Sequence, residues 1–235
     1  MGISLSRWWV ASALTGTAVQ AAALTLGMAD TFESGADGGW TVGAASLVPP
    51  TVVASGGPAG AGDGYLALAA LGGLGAGSRL TVIAGPQWAG DYSAAGVDGI
   101  TMDLKNLGST ALNLRLWLAG PLGANALSLD AVVLPPGSDW TPMRFSLDPG
   151  ALSGQALASL SNVQQLRLFH ATTPAFPGQP IVAALGLDNV TAVPETPSLW
   201  LLLAGLASVG ALRPRRLSPG APPSNLDTRF APRRT

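Results

Sequence analysis

The chain has 235 residues, 48% of them hydrophobic and 11% charged, with no cysteine and one histidine, which excludes disulfides and any centre that needs cysteine or two histidines. Residues 24–192 carry five Lys or Arg against eleven Asp or Glu, a formal charge of −6 that the whole-chain value of −1 hides. An acidic surface repels nucleic acid and anionic lipid head groups, so no nucleic-acid partner is expected, and acidic polysaccharide is also repelled unless a divalent cation bridges.

Residues 1–23 have the features of an export signal. Arg7 is followed by an uncharged, largely apolar run that ends in small residues within positions 19–23. This order is typical of a signal peptide that is cleaved after export. The alternative is an uncleaved N-terminal membrane helix, because the run approaches the roughly 20 residues that span a bilayer.

Residues 24–192 show the period-two alternation of half-buried strands, separated by Gly-rich turns. Ile100, Met102 and Leu104, for example, alternate with polar residues. Six segments have this pattern: GYLALAAL (64–71), SRLTVIAG (78–85), GITMDLKNL (99–107), ALNLRLWLAG (111–120), TPMRFSL (141–147) and VQQLRLFH (163–170). One segment, at 149–163, has a helical or irregular pattern. The region is therefore predicted to be one all-β domain, an antiparallel jelly-roll-like β-sandwich.

The order of several short motifs adds a resemblance to known folds. DTFESGADGGW, GDGYLAL, GPQWAGDYSAAGVDGITMDL, WTPMRFSL and LGLDNV follow one another as in galactose-binding-like and laminin-B-like jelly rolls, which this region resembles. The resemblance implies that the first and last strands are neighbours and that carboxylates from both hold a structural calcium ion. Asp30, Glu33 and Asp188 occupy the matching stretches, and Ca²⁺ takes six to eight oxygen ligands. Alternatively, Asp30 forms a turn, Glu33 is solvated and Asp188 caps a loop.

Aromatic residues are the other candidates for function, since sugar rings pack their C–H faces on aromatic rings. Trp88 and Tyr92 flank Asp91 in QWAGDY, a trio able to stack against a sugar and hydrogen-bond to it. Trp117 lies on the polar side of its strand and is a second candidate. The alternative is that these rings fill the rims of the sandwich core.

Motifs for catalysis are missing from the sequence. His170 ends a strand pattern, where a structural role is expected, and no nucleophile elbow, phosphate loop or zinc-protease motif occurs. A glycosidase would need paired carboxylates, such as Asp98 with Asp103 or Asp91 with Asp148, but aspartates in Gly-rich turns usually form the turn. We therefore expect no enzymatic activity, with a polysaccharide hydrolase as the remaining alternative.

The C-terminal region combines a hydrophobic segment with a basic stop. Residues 196–212 are uncharged, and three arginines follow within four positions. We predict a transmembrane helix at 199–212, with the arginines cytoplasmic and residues 24–192 outside. Its modest length also allows the alternative of a buried core helix.

The motif around this segment resembles the PEP-CTERM sorting signal, which we assign to residues 193–217. The residues that carry the resemblance are Val193, Pro194, Glu195, Thr196, Pro197, Ser198, Trp200, Arg213, Arg215 and Arg216. It implies a Gram-negative bacterial protein that is held transiently in the inner membrane until an exosortase cuts near Pro194 and Glu195. Thr196 stands where the family usually has a second proline, and a Pro- and Ser-containing tail at 218–235, predicted to be disordered, follows the arginines.

Together these features predict an exported cell-surface or extracellular-matrix protein. Its sandwich is expected to be a noncatalytic binding module for polysaccharide or another matrix component. The alternative is a purely structural matrix protein without a specific ligand.

Overall fold

The computed structural model of the protein describes residues 24–194. They form two antiparallel β-sheets with little helix. In this part of the chain no helix combines the length and apolar character needed to cross a bilayer. The predicted export signal, the sorting signal from Glu195 onward and the tail at 218–235 lie outside the described residues.

Twelve strands form the two sheets. They are β1 (Ala29–Asp30), β2 (Thr51–Val53), β3 (Tyr65–Leu71), β4 (Thr81–Ile83), β5 (Gly99–Asn106), β6 (Leu112–Ala119), β7 (Asn125–Ser128), β8 (Val132–Leu134), β9 (Thr141–Ser146), β10 (Leu152–Gly154), β11 (Gln165–His170) and β12 (Val182–Val193). Sheet A has the order β2-β3-β12-β5-β9, with β1 also paired to β12. Sheet B has the order β10-β7-β6-β11-β4, with β8 also paired to β6. A short helix, α1 (Ala156–Leu160), lies between β10 and β11.

The core lies between the two sheets, because alternate residues of each strand point inward. The inward side chains form one hydrophobic cluster that includes Leu66 and Leu68 of β3, Ile100, Met102 and Leu104 of β5, Leu112, Leu114, Leu116 and Leu118 of β6, and Leu185 and Leu187 of β12. Fully burying each such side chain contributes about 1.5–3 kcal/mol. The antiparallel β-sandwich and all six predicted strand segments are confirmed.

The last strand, β12, organises sheet A. It pairs with β3 through its first half and with β5 over most of its length. β1 pairs with its second half, where Ala29 faces Thr191 and Asp30 faces Val190. The neighbouring first and last strands that the jelly-roll resemblance implied are thus present. Val193, which the sequence assigned to the sorting signal, is the last residue of β12 and faces Gly99.

The side chain of Asp30 in β1 accepts hydrogen bonds from core residues and does not form a turn. Its Oδ2 accepts hydrogen bonds from the Nε1 atoms of Trp40 and Trp88, each at 2.7 Å, and from Nε2 of Gln87 at 3.0 Å. Both indoles are buried and meet edge to face, with ring centroids 6.4 Å apart. One carboxylate therefore satisfies two indole donors that the core withdraws from water.

Replacing Asp30 with alanine is expected to reduce the free energy of unfolding by about 2–5 kcal/mol, because two buried indole N–H groups would lose their acceptor. Chemical denaturation of the protein measures this loss. The matched control is Asp37→Ala, which removes an exposed turn carboxylate that accepts only the amide of Gly39. Equal losses in the two variants would contradict the assigned role of Asp30.

Candidate functional site

The outer face of sheet A presents polar and aromatic groups that are available for binding. On β12 the outward residues are Gly186, Asp188 and Thr191, since Leu187 and Val190 on either side of Asp188 point into the core. Successive outward residues of a strand lie about 7 Å apart. The face therefore presents three adjacent features along β12: an aromatic pair, a carboxylate cluster and a polar depression.

A β-bulge in β12 creates this arrangement. Asp188 faces Asp103 of β5, but the next pairing joins Thr191 to Thr101, so β12 holds one extra residue. Asn189 lies within this bulge, in the left-handed region at φ 49°. Bulges re-aim side chains, and here Asn189 donates from Nδ2 to Oδ2 of Asp103 at 2.8 Å on the outer face.

The aromatic pair consists of Tyr65 and Trp140. Their ring centroids are 5.2 Å apart at an interplanar angle of 74°, and both side chains are partly exposed. The Trp140 indole donates from Nε1 to the carbonyl of Gly56 at 2.8 Å. A Cβ at Gly186 would lie 2.7 Å from Cη2 of Trp140, so only glycine at this position allows the indole to lie so close to the sheet.

The polar depression, of about 410 Å³, lies at the other end of the face. It is lined by Thr101, Met102, Asp103, Pro142, Met143, Arg144, Asn189 and Thr191. Arg144 pairs with Asp98 through Nη2 at 2.7 Å, while its Nε is buried and has no hydrogen-bond partner among residues 24–194. Hydroxyl, amide, carboxylate and guanidinium groups thus surround one open depression, a combination suited to a ligand with many hydroxyl groups.

The carboxylate cluster consists of Glu33, Asp63 and Asp188. Each offers an oxygen, and these oxygens all lie within 4.8 Å of one another. Asp188 is fully buried, and in the described part of the chain its Oδ2 has no hydrogen-bond partner. Burial, together with the charges of Asp63, Glu33 and Asp103, raises the pKa of Asp188 to about 7.

The ligand atoms and the local backbone of the cluster both fit a hard cation such as Ca²⁺. Its ligands are all oxygen, and the orphaned Oδ2 of Asp188 lacks the partner that a buried carboxylate normally has. Gly64 lets the chain of Glu33 approach, since a Cβ there would lie 3.0 Å from the carbonyl oxygen of Phe32. Phe32 itself has a φ of 57°, so left-handed residues adjoin two of the three carboxylates. Such strain persists where the surrounding structure imposes it, often at ligand sites.

The structure brings together two of the three residues that the resemblance assigned to a calcium site. Glu33 and Asp188 are in the carboxylate cluster, but Asp30 is not. Its carboxylate is occupied by the indoles of Trp40 and Trp88, and Asp63, which the sequence did not single out, completes the set.

The trio predicted to contact sugar lies away from the outer face of sheet A. Trp88 and Tyr92 are both 0% exposed, so neither ring has a face open to a ligand. The Tyr92 hydroxyl donates to the carbonyl of Trp88 at 2.9 Å, and burial raises its pKa. Asp91 is exposed and accepts the amide of Ala94 at 2.8 Å, as a turn residue does. These rings belong to the core, the alternative that the sequence left open.

Trp117 has a different environment. It is partly exposed on the outer face of sheet B, where it stacks on Phe176 with ring centroids 5.0 Å apart. It is the one residue of the predicted sugar-contact set whose ring lies on the surface of the described domain.

The carboxylates considered for catalysis are engaged in local structure. Asp98 is paired with Arg144, and Asp103 accepts from Asn189. Asp148 accepts the amide of Gly150 at 2.6 Å at the start of a 3-10 turn. His170 is buried, which lowers its pKa, and its Nδ1 accepts the amide of Asn113 at 3.0 Å.

No protein-family model matches the chain, and no curated protein matches it. Among solved structures, an exo-β-agarase is similar at 15% identity and a TM-score of 0.54, over 74% of this chain and 26% of that one. The chain thus spans about a quarter of the length of the agarase chain. This likeness shows a shared fold.

Two carbohydrate-binding modules are also similar to the chain. A family 11 module from Clostridium thermocellum, in complex with a β-1,3-1,4-mixed-linked tetrasaccharide, has 14% identity and a TM-score of 0.46, over 73% of this chain and 97% of that one. The C-terminal family 22 module of Clostridium thermocellum Xyn10B has 16% identity and a TM-score of 0.43, over 72% and 94%.

Proposed function

We propose that the chain is an exported bacterial surface or matrix protein whose sandwich binds polysaccharide without catalysis, through the outer face of sheet A. The observation that carries this proposal is the partly exposed pair of Tyr65 and Trp140 on the same face as the polar depression. Aromatic rings offer apolar faces for sugar C–H groups, and the polar groups offer partners for hydroxyls.

The electrostatics of this face favour a neutral sugar. Asp103 and Asp188 lie side by side in the register, and the positive groups nearby, Lys105 and Arg144, are each paired with an aspartate. An anionic sugar would meet carboxylates here and would find both nearby cationic side chains already paired. The ligand of this face is therefore a neutral polysaccharide.

A purely structural matrix role is the second candidate. The burial of Trp88 and Tyr92 favours it, because two of the rings predicted to contact sugar stabilise the fold instead. The two roles differ in one outcome, which is whether removing Trp140 alters binding to any glycan.

Replacing Trp140 with alanine is expected to weaken binding to a neutral polysaccharide about tenfold or more, since interface tryptophans dominate binding energy. Affinity electrophoresis against a panel of neutral polysaccharides measures the change, and unchanged thermal unfolding shows that the fold is kept. Leu157→Ala, which shortens an exposed apolar side chain of α1 outside this face, is the control. If wild type binds no member of the panel, the structural role stands and the binding role fails.

The carboxylate cluster is part of the proposal as a structural calcium site. Glu33 follows β1, Asp188 belongs to β12, and Asp63 precedes β3, so one ion would join three segments at the outer face of sheet A. A bound cation stabilises the folded state because the unfolded chain holds no such site. It would also neutralise charge that otherwise accumulates beside Asp188.

Calcium is expected to raise the melting temperature of the protein by several degrees at concentrations well above its dissociation constant. Asp188→Asn should lose most of this gain. In EDTA the same variant should be at least as stable as wild type, because it removes a buried charge that is repelled by its neighbours. Asp37→Asn, outside the cluster, is the control. An identical melting curve with and without calcium would exclude the site.

Export and sorting complete the proposal. Contacts at the end of the sandwich support release near Pro194. The carbonyl of Val193 accepts the amide of Asp98 at 3.1 Å, and Nη2 of Arg144 lies 3.4 Å from the carbonyl of Pro194. Cleavage after this point would leave β12 and its partners intact, so the released product would keep a complete fold.

Intact-mass analysis of envelope and medium fractions from the host tests this part. The expected species begins near residue 24 and ends near Pro194, because both predicted signals would be removed. A Glu195→Ala variant should retain the C-terminal segment. A wild-type mass that includes residues 199–216 would mean a permanently tethered protein and would contradict release.

A further inference from the structure

The outer face of sheet B carries a second surface, formed by Trp117, Arg167 and Phe176, which we call the cationic platform. Trp117 of β6 and Arg167 of β11 are directly opposite each other in the register. Phe176, 37% exposed, stacks on Trp117 with an interplanar angle of 23°. The Arg167 guanidinium carbon lies 4.8 Å from the Trp117 ring centroid and 5.2 Å from that of Phe176.

The loop at 171–181, which carries Phe176, is fastened at both ends. Its first residue, Ala171, donates to the carbonyl of Asn113 at 2.8 Å and accepts from Nε of Arg115 at 3.0 Å. Near its other end, the carbonyl of Gly178 accepts from Arg79. The ring of Phe176 is therefore held against Trp117 before any ligand arrives, which lowers the entropy cost of binding.

Arg167 differs from the other cations of residues 24–194. Lys105 and Arg144 form ion pairs, and Arg79 and Arg115 donate to backbone carbonyls that they hold in place.

For Arg167 the only hydrogen bond within the described domain runs from Nε to Oε1 of Gln165, at 2.7 Å, and no carboxylate lies within 4 Å. Partial burial, with no anion in compensation, lowers its pKa. Its two terminal nitrogens thus remain as donors beside two aromatic rings.

We propose that the cationic platform binds an acidic pyranose, a hexuronate unit of a polysaccharide, at a site separate from the outer face of sheet A. The apolar face of the sugar would pack on the parts of Trp117 and Phe176 that their mutual stacking leaves exposed, and its carboxylate would accept hydrogen bonds from the terminal nitrogens of Arg167. A planar guanidinium matches the two oxygens of a carboxylate. The positive charge of Arg167 would attract the carboxylate locally and so offset the repulsion between the negatively charged domain and an acidic polysaccharide.

The test compares two polymers that differ at the carboxyl group, which is ionised in de-esterified polygalacturonate and uncharged in its methyl ester. Full-length chain in detergent is titrated with each, by calorimetry or affinity electrophoresis. Wild type is expected to bind the acid form about tenfold more tightly or better than the ester, the range of one charge-assisted pair. Arg167→Gln should reduce binding of the acid form to the level of the ester.

Two further variants separate local recognition from general effects. Lys105→Gln removes one positive charge from the opposite sheet and should leave polygalacturonate binding unchanged. Phe176→Ala should weaken binding of both polymers, and it is assayed well below its melting temperature because Phe176 also packs edge to face on the buried Phe169.

The proposal is overturned if wild type binds neither polymer, if it binds both equally, or if Lys105→Gln reduces affinity as much as Arg167→Gln. Trp140→Ala, which tests the neutral-sugar face, should not alter polygalacturonate binding. Failure of one site is therefore distinguishable from failure of the other.

Discussion

The bulged pairing of β12 with β5 is the constraint on which the outer face of sheet A depends. One extra residue between Asp188 and Thr191 keeps Val190 in the core while it leaves Asn189 beside Asp103 on the surface. Without the bulge, the alternation after Asp188 would reverse, and the core and the face would exchange side chains. A single irregularity thus serves both stability and the candidate site.

The short strand β1 also positions side chains of the core and of the carboxylate cluster, because it pairs with β12. By pairing with the second half of β12, it brings Asp30 to two buried indoles on one side and Glu33 to Asp188 on the other. The two carboxylates have opposite roles, although they are three residues apart. Asp30 accepts hydrogen bonds from donors that the core buries, and Glu33 adds negative charge to the carboxylate cluster around Asp188.

Much of the fold was predictable because its long strands alternate cleanly. β5 and β6 were assigned from residues such as Ile100 and Leu114, whose period-two spacing directly reflects the core. The short strands β2, β7, β8 and β10 have three or four residues, too few for an alternation to stand out. The Asp-Asn pair at 188 and 189 was a signal for the bulge, since both residues favour turns yet lie within an apolar strand.

The candidate site was less predictable because exposure depends on packing between distant segments. Trp88 and Trp140 look equivalent in the sequence, yet Trp88 is fully buried by Asp30 and its neighbours while Trp140 lies over Gly186 at the surface. Asp63 joins the carboxylate cluster from a Gly-rich loop that shows no strand pattern. The position of Phe176 depends on three hydrogen bonds that hold its loop, and their partners Asn113, Arg115 and Arg79 are all distant from Phe176 in sequence.

The most direct test of the central claim is NMR observation of the indole N–H signals during titration with a neutral oligosaccharide. We expect the Trp140 signal to shift in proportion to bound sugar while those of Trp40 and Trp88, which donate to Asp30, stay in place. Binding that leaves the Trp140 signal unmoved, or a panel of sugars that moves no signal, would contradict a glycan-binding role for the outer face of sheet A.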